Sequence, residues 1–116
     1  MIKDSLNIIK VGGAIVENEE SLQGLLMSFS SLRGRKILVH GGGKIATEVA
    51  AKLGVETQMI DGRRITSAEM LKVVTMVYGG LVNKNLVARL QALGANAIGL
   101  TGADLNLIMS VKRPVQ

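Results

Sequence analysis

The chain has 116 residues, 47% of them hydrophobic, which suits one globular domain or a piece of one. Its net charge of +5 favours anionic partners in general. However, the basic residues are scattered and only one Phe and one Tyr are present, which argues against nucleic-acid binding. The lack of cysteine excludes disulfides and thiolate metal sites. No apolar run reaches the length of a membrane span, so we expect a cytoplasmic protein without a membrane partner.

Apolar runs alternate with amphipathic stretches in the first half of the chain. Residues 7–11 and 37–39 are predicted strands, and the first is expected to be buried on both faces because it is almost entirely apolar. Between them, Asn18 is placed to cap a helix that Gly34 ends. A second helix is predicted over residues 44–53. The order β-α-β-α predicts a parallel sheet with helices on its faces.

A hairpin and a long helix are predicted next. Asp61-Gly62, between predicted strands over residues 55–60 and 63–65, suits a tight hairpin turn. A helix is then predicted over residues 67–93, with a capping pattern at its start. The pair Gly79-Gly80 within it is expected to mark a kink or a close contact between helices rather than a ligand loop.

Two further strands are predicted, over residues 96–100 and 105–111. The sequence ends with residues 111–116, just after an apolar segment and without a helix to cover the sheet, which suggests the front part of a longer polypeptide. We therefore expect apolar surface to be exposed where further sequence should pack.

Glycine-rich turns follow both of the first two predicted strands. Gly12 and Gly13 come after the first, and Gly41-Gly42-Gly43 after the second. Because neighbouring parallel strands end at the same edge of a sheet, the turns are expected to converge where open α/β folds bind ligands. Lys10 interrupts the apolar first strand, where a lysine is costly unless it faces a cleft or a fixed anion.

The glycine pattern alone leaves the ligand open. Residues 41–46 satisfy the dinucleotide-binding pattern G-x-G-x-x-[GA], with Asp61 near the position of a ribose-binding acid, so a Rossmann-type dinucleotide-binding domain is an alternative. Asp61 falls in the predicted hairpin turn, which counts against it. A Walker A loop is excluded because Ile45 follows Lys44 where Ser or Thr should hold magnesium.

Four motifs, taken together and in order, resemble the amino-acid kinase family. They are residues 10–13 (KVGG), 39–43 (VHGGG), 62–66 (GRRIT) and 77–84 (VYGGLVNK). The resemblance is closest to members that phosphorylate the side-chain carboxylate of N-acetyl-L-glutamate, or another N-acylglutamate, with ATP in arginine biosynthesis. It implies an α/β fold, a three-layer αβα sandwich with a mainly parallel sheet. Residues 1–116 would be its N-terminal, acylglutamate-binding part, without the C-terminal nucleotide-binding part.

The resemblance also implies roles for particular residues. Lys10 would stabilise the transition state at the transferring phosphoryl group and, with Gly12 and Gly13, bind ATP. The residues that would hold the acylglutamate are Gly42, Gly43 and Arg64.

Further expectations concern cofactor and partners. By resemblance, Mg²⁺ would be held mainly by the nucleotide, with no protein ligand in this chain. The helix over residues 67–93 would form a homodimer interface. Another carboxylate or carbamate kinase of the same fold is a second alternative. The 116 residues alone are expected to be inactive or nearly so.

Overall fold

The structure, a computed structural model, describes residues 5–114. The last two residues of the segment 111–116, residues 115–116, lie outside the described residues. Strands β1 (Leu6–Val11) and β2 (Arg35–His40) pair in parallel. Helices α1 (Gly13–Glu17) and α2 (Glu19–Ser31) connect them. This arrangement confirms the predicted parallel β-α-β unit.

The chain then adds a helix, a hairpin and a long helical rod over residues 68–92. The elements are α3 (Gly43–Lys52), β3 (Gln58–Ile60), β4 (Arg63–Ile65), α4 (Ala68–Val74), a π-helical segment (Thr75–Val82) and α5 (Asn83–Ala92). Helix α4, the π-helical segment and α5 follow one another without a break. No helix among residues 5–114 is long and apolar enough to cross a membrane.

Local signals in the sequence explain several of these boundaries. The Asn18 side chain accepts a hydrogen bond from the amide of Ser21 at 2.8 Å and caps α2, as predicted. In the hairpin turn, Asp61 (φ 49°) and Gly62 (φ 72°) both lie in the left-handed region that a two-residue turn favours. The predicted hairpin is therefore confirmed, although β3 begins later than expected.

The glycine pair in the long helix lies within the π-helical segment. A Cβ atom on Gly79 would lie 3.2 Å from the side chain of Thr101, whereas one on Gly80 would meet open space. The predicted close approach therefore exists at Gly79, but it involves a loop rather than another helix.

The core lies between one face of the β1–β2 sheet and the helices. Ile9, Val11 and Leu38 supply the sheet side. The buried helical side chains are Leu22, Leu26, Phe29, Ala46, Ala50, Met70, Val73, Val77, Val82, Leu86 and Leu90. Together they form one aliphatic cluster around a single phenylalanine.

The other face of the sheet is exposed. Ile8 is 64% exposed, and Leu6, Ile37 and Val39 are each close to half exposed. The prediction that the first strand is buried on both faces is therefore wrong, because the helices of the described residues cover one face only. The expectation of exposed apolar surface is confirmed, and a complete three-layer sandwich is not present within residues 5–114.

The two last predicted strands are wrong. Residues 95–100 alternate between half-buried and exposed, as in a strand, but within residues 5–114 no strand pairs with them. Side chains at the start of α5 bind their carbonyl groups instead. In the predicted strand 105–111, Leu105 (φ 54°) and Asn106 (φ 52°) adopt left-handed backbone angles, which are incompatible with a strand.

Candidate active site

The two glycine turns meet at one edge of the sheet. β1 and β2 are parallel and in register, with Val11 opposite His40, so Gly12 and Gly41 leave the sheet side by side. A Cβ atom on either glycine would meet no atom within 4 Å. The expected convergence is confirmed, and the backbone of both turns is open to approach.

Lys10 lies next to this edge, on the exposed face of the sheet. It pairs with Val39 in the ladder, two residues before Gly12. Among the described residues it forms no hydrogen bond or ion pair. Its ammonium group is therefore available to an anion that approaches the strand ends from this face.

The backbone at Gly42 requires glycine. Its φ of 156° with ψ of 23° is a combination that L-residues rarely adopt. A Cβ atom there would lie 3.1 Å from a methyl group of Val82 and 3.4 Å from the ring of Tyr78. The π-helical segment thus packs directly against the turn, and Tyr78 also brings its hydroxyl group close to Gly43.

Arg64 joins the hairpin to this turn. Its Nη2 donates to the carbonyl oxygen of Gly43 at 2.8 Å and to the hydroxyl of Thr47 at 2.9 Å, and Nη1 reaches the hydroxyl of Thr57 at 3.4 Å. These acceptors are neutral, and no carboxylate among the described residues pairs with the half-buried guanidinium. The structure therefore brings Arg64 against Gly43, next to Gly42, and leaves its positive charge uncompensated.

A chain of hydrogen bonds supports the same turn from the core side. His40 Nδ1 lies 2.9 Å from the carbonyl oxygen of Gly41, and its Nε2 lies 3.1 Å from the side-chain nitrogen of Asn83. Lys84 Nζ donates to Asn83 Oδ1 at 2.9 Å. Val11 and His40 point to the core face, so this chain lies on the opposite face of the sheet from Lys10.

Sequence reasoning missed Asn83, Thr47 and Tyr78 as neighbours of the site. For Asn83 a signal exists: it shares a helical stripe with the buried residues Leu86 and Leu90 and is itself only 6% exposed. A buried side-chain amide needs hydrogen-bond partners, so an asparagine on this apolar stripe indicates a polar contact with a neighbouring element. Tyr78 is marked only as part of the resembling stretch 77–84, and Thr47 carries no comparable pattern.

Asp61 and Asp104 both lie in exposed turns. Asp61 lies exposed in the hairpin turn and not at the end of a parallel strand, so the dinucleotide alternative lacks its ribose-binding acid. Asp104 accepts hydrogen bonds from the amide and hydroxyl of Thr101, and these bonds lower the pKa of Asp104. It closes a loop turn on the surface.

Known proteins are similar to this chain in sequence. "Acetylglutamate kinase" of Phocaeicola vulgatus is 68% identical over 115 residues, which is 99% of this chain and 45% of that protein. "Acetylglutamate kinase" of Bacteroides thetaiotaomicron is 64% identical over the same shares. That of Methanopyrus kandleri is 42% identical over 93% of this chain and 41% of its own length. The chain thus spans less than half the length of the relatives it matches.

Structure and family comparisons agree. The crystal structure of smu.665 from Streptococcus mutans UA159 matches with a TM-score of 0.64 and 26% identity, over 77% of this chain and 37% of that one. Residues 5–114 match the amino acid kinase family. The chain therefore belongs to the amino acid kinase family.

Proposed function

We propose that this chain is the acylglutamate-binding part of an enzyme that phosphorylates the side-chain carboxylate of N-acetyl-L-glutamate with ATP. The observation that carries the proposal is the uncompensated guanidinium of Arg64, held 2.8 Å from Gly43 at the end of the paired strands. The names of the relatives support the same activity. With it, the protein would act in arginine biosynthesis in the cytoplasm.

The reaction makes particular demands on a site. A carboxylate that attacks a triphosphate brings two anions together, so fixed positive charge and oriented donors must offset their repulsion. It needs no general base, because a glutamate carboxylate with a reference pKa of about 4.3 is already ionised at neutral pH. The lack of a catalytic acid–base pair at the strand ends, among the described residues, is therefore no argument against this chemistry.

Lys10 and the first glycine turn are assigned to the nucleotide side. The ammonium of Lys10 would stabilise the charge that develops on the transferring phosphoryl group. Gly12 and Gly13 would let the phosphates approach the backbone, since no side chain fills the space beside Gly12. Mg²⁺ would arrive on the nucleotide; within residues 5–114, no three His, Asp or Glu side chains are grouped to hold it.

Arg64 and the second glycine turn are assigned to the acylglutamate. A guanidinium is a planar fork that matches a carboxylate, and a carboxylate is a stronger acceptor than the hydroxyl groups that Arg64 now contacts. The amide groups of Gly42 and Gly43 donate to no other backbone group among the described residues. They would supply further donors at the start of α3, where the helix dipole favours a negative charge.

The test uses the neighbouring arginines of the hairpin as a matched pair. N-acetyl-L-glutamate is titrated calorimetrically into the complete polypeptide that contains these residues. Arg64→Ala should weaken binding about ten- to hundredfold, because it removes charge-assisted hydrogen bonds. Arg63→Ala, at an exposed position on the same strand, should leave the affinity within about twofold.

Three results would contradict the assignment. Equal losses of affinity in Arg64→Ala and Arg63→Ala would show that Arg64 contributes only to the overall positive charge of the hairpin. Tight binding of NADH with indifference to acylglutamate would instead support the dinucleotide alternative. If carbamate or another small carboxylate binds and acylglutamate does not, another carboxylate or carbamate kinase is the better description.

The 116 residues alone are proposed to be inactive or nearly so. The exposed sheet face that carries Lys10 is expected to be covered by further sequence, which would complete the nucleotide site. Acetylglutamate-dependent ATP turnover by the purified 116-residue chain would disprove this part of the proposal.

The long helical rod is proposed as the homodimer interface. Leu71, Met76 and Leu81 lie on it and are each about half exposed, which supports self-association. Sedimentation velocity should show a dimer that Leu71→Lys weakens. A monomeric wild-type protein at micromolar concentration would exclude this interface.

A further inference from the structure

We propose that His40 and Asn83 are positioning residues that fix the Gly41–Gly42 peptide, so that the Gly42 amide is aimed at the acylglutamate. The inference rests on the proposed function for the identity of the ligand. The hydrogen-bond chain that carries it stands on geometry alone.

The hydrogen-bond chain has one consistent direction. The ammonium of Lys84 can only donate, so its contact at 2.9 Å identifies Oδ1 of Asn83 and leaves the amide NH₂ facing His40. An NH₂ group donates, so Nε2 of His40 accepts. The proton of the neutral imidazole is then on Nδ1, which donates to the carbonyl oxygen of Gly41 at 2.9 Å.

Asn83 is held firmly enough to impose that direction. It is 6% exposed, and its NH₂ also approaches the carbonyl oxygen of Leu100 at 3.4 Å. A Cβ atom on Gly99 would collide with the Asn83 amide, so glycine at that position makes room for it. Lys84 Nζ also donates to the carbonyl oxygen of Gly99 at 2.9 Å, which secures the surrounding segment.

The consequence for the turn follows from the planar trans peptide. When the Gly41 carbonyl points at His40, the N–H of Gly42 must point the opposite way, because the two groups are antiparallel across the peptide plane. Three successive glycines would otherwise sample many orientations. The His40–Asn83 pair thus removes that freedom before the ligand arrives, which is the preorganisation that electrostatic stabilisation requires.

The kinetic test uses two substitutions of His40 in the complete polypeptide. His40→Leu removes both hydrogen bonds and should raise KM for N-acetyl-L-glutamate tenfold or more, while KM for ATP stays within threefold. In His40→Asn, the side-chain amide can occupy the Nδ1 position and donate to Gly41. It should restore KM for acetylglutamate to within about threefold. A residue that only stabilises the fold would affect both substrates, and Asn would not rescue it.

A second measurement does not depend on activity. In the wild-type protein, ¹⁵N NMR should show His40 as the Nδ1–H tautomer. Asn83→Leu should shift it towards Nε2–H and speed hydrogen exchange at the Gly42 amide at least tenfold. An Nε2–H tautomer in the wild-type protein, or parallel changes in both KM values, would overturn the proposal. If acetylglutamate proves not to be the substrate, the proposed function fails, and the tautomer and the Gly42 exchange rate decide whether the peptide is held as proposed.

Discussion

Replacing Gly42 by alanine should destabilise the fold strongly. The backbone angles at Gly42 cost a non-glycine residue about 1–3 kcal/mol. The new Cβ would also lie 3.1 Å from Val82, which is only 4% exposed and has little room to yield, adding about 1 kcal/mol of overpacking. The free energy of unfolding should therefore fall by about 2–4 kcal/mol. With a urea m-value of about 1–3 kcal/mol/M, the midpoint should fall by roughly 0.7–4 M.

Gly41 provides the matched control one residue earlier. Its φ is not positive, and a Cβ atom there would meet nothing within 4 Å. Gly41→Ala should change the free energy of unfolding by less than about 1 kcal/mol, with either sign. Urea unfolding of the three proteins, followed by circular dichroism, compares them directly. Equal midpoints for Gly41→Ala and Gly42→Ala would refute both the strain at Gly42 and its packing against the helix.

Three further predictions concern single contacts. Asn18→Ala should lower the free energy of unfolding by about 1 kcal/mol in thermal melts, because α2 loses the cap at its first turn. Glu19→Gln should lower the free energy of unfolding by up to about 1 kcal/mol more than Glu20→Gln, because Glu19, unlike Glu20, pairs with Arg89. If this difference between the two variants is unchanged in 0.5 M salt, the contact is not an ion pair. Hydrogen bonds from Thr101 lower the pKa of Asp104 below its ordinary value of 3.8. The turn that Asp104 closes should therefore be intact above pH 3.8 and loosen as the pH falls through the lower pKa of the folded protein. The NMR shift of the amide that donates to Asp104 should follow that titration, and a midpoint at or above 3.8 would contradict it.

Local chemistry made part of this structure predictable. Asn18 offers a side-chain acceptor ahead of an apolar helical stripe, and Asp61-Gly62 offers two residues that tolerate left-handed backbone angles. Each signal acts within a few residues, so it survives whatever surrounds it. The glycine turns were predictable at one edge because parallel strands share a direction.

The errors arose where a prediction needed a distant partner. Residues 95–100 have the alternation of a strand, but a strand requires a neighbour to pair with, and side chains of α5 bind these residues instead. The apolar residues of β1 suggested burial on both faces, yet burial depends on what covers each face. Ile8 remains 64% exposed because the helices lie on the other side.

The sequence by itself determined the parallel unit, the hairpin and the two glycine turns at one edge of the sheet. Only the tertiary structure decided that Arg64 lies against Gly43, and that His40 and Asn83 bind each other although 43 residues separate them. The physical reason is that a hydrogen bond requires its two atoms within about 3 Å, and no local pattern specifies that distance between elements far apart in the chain.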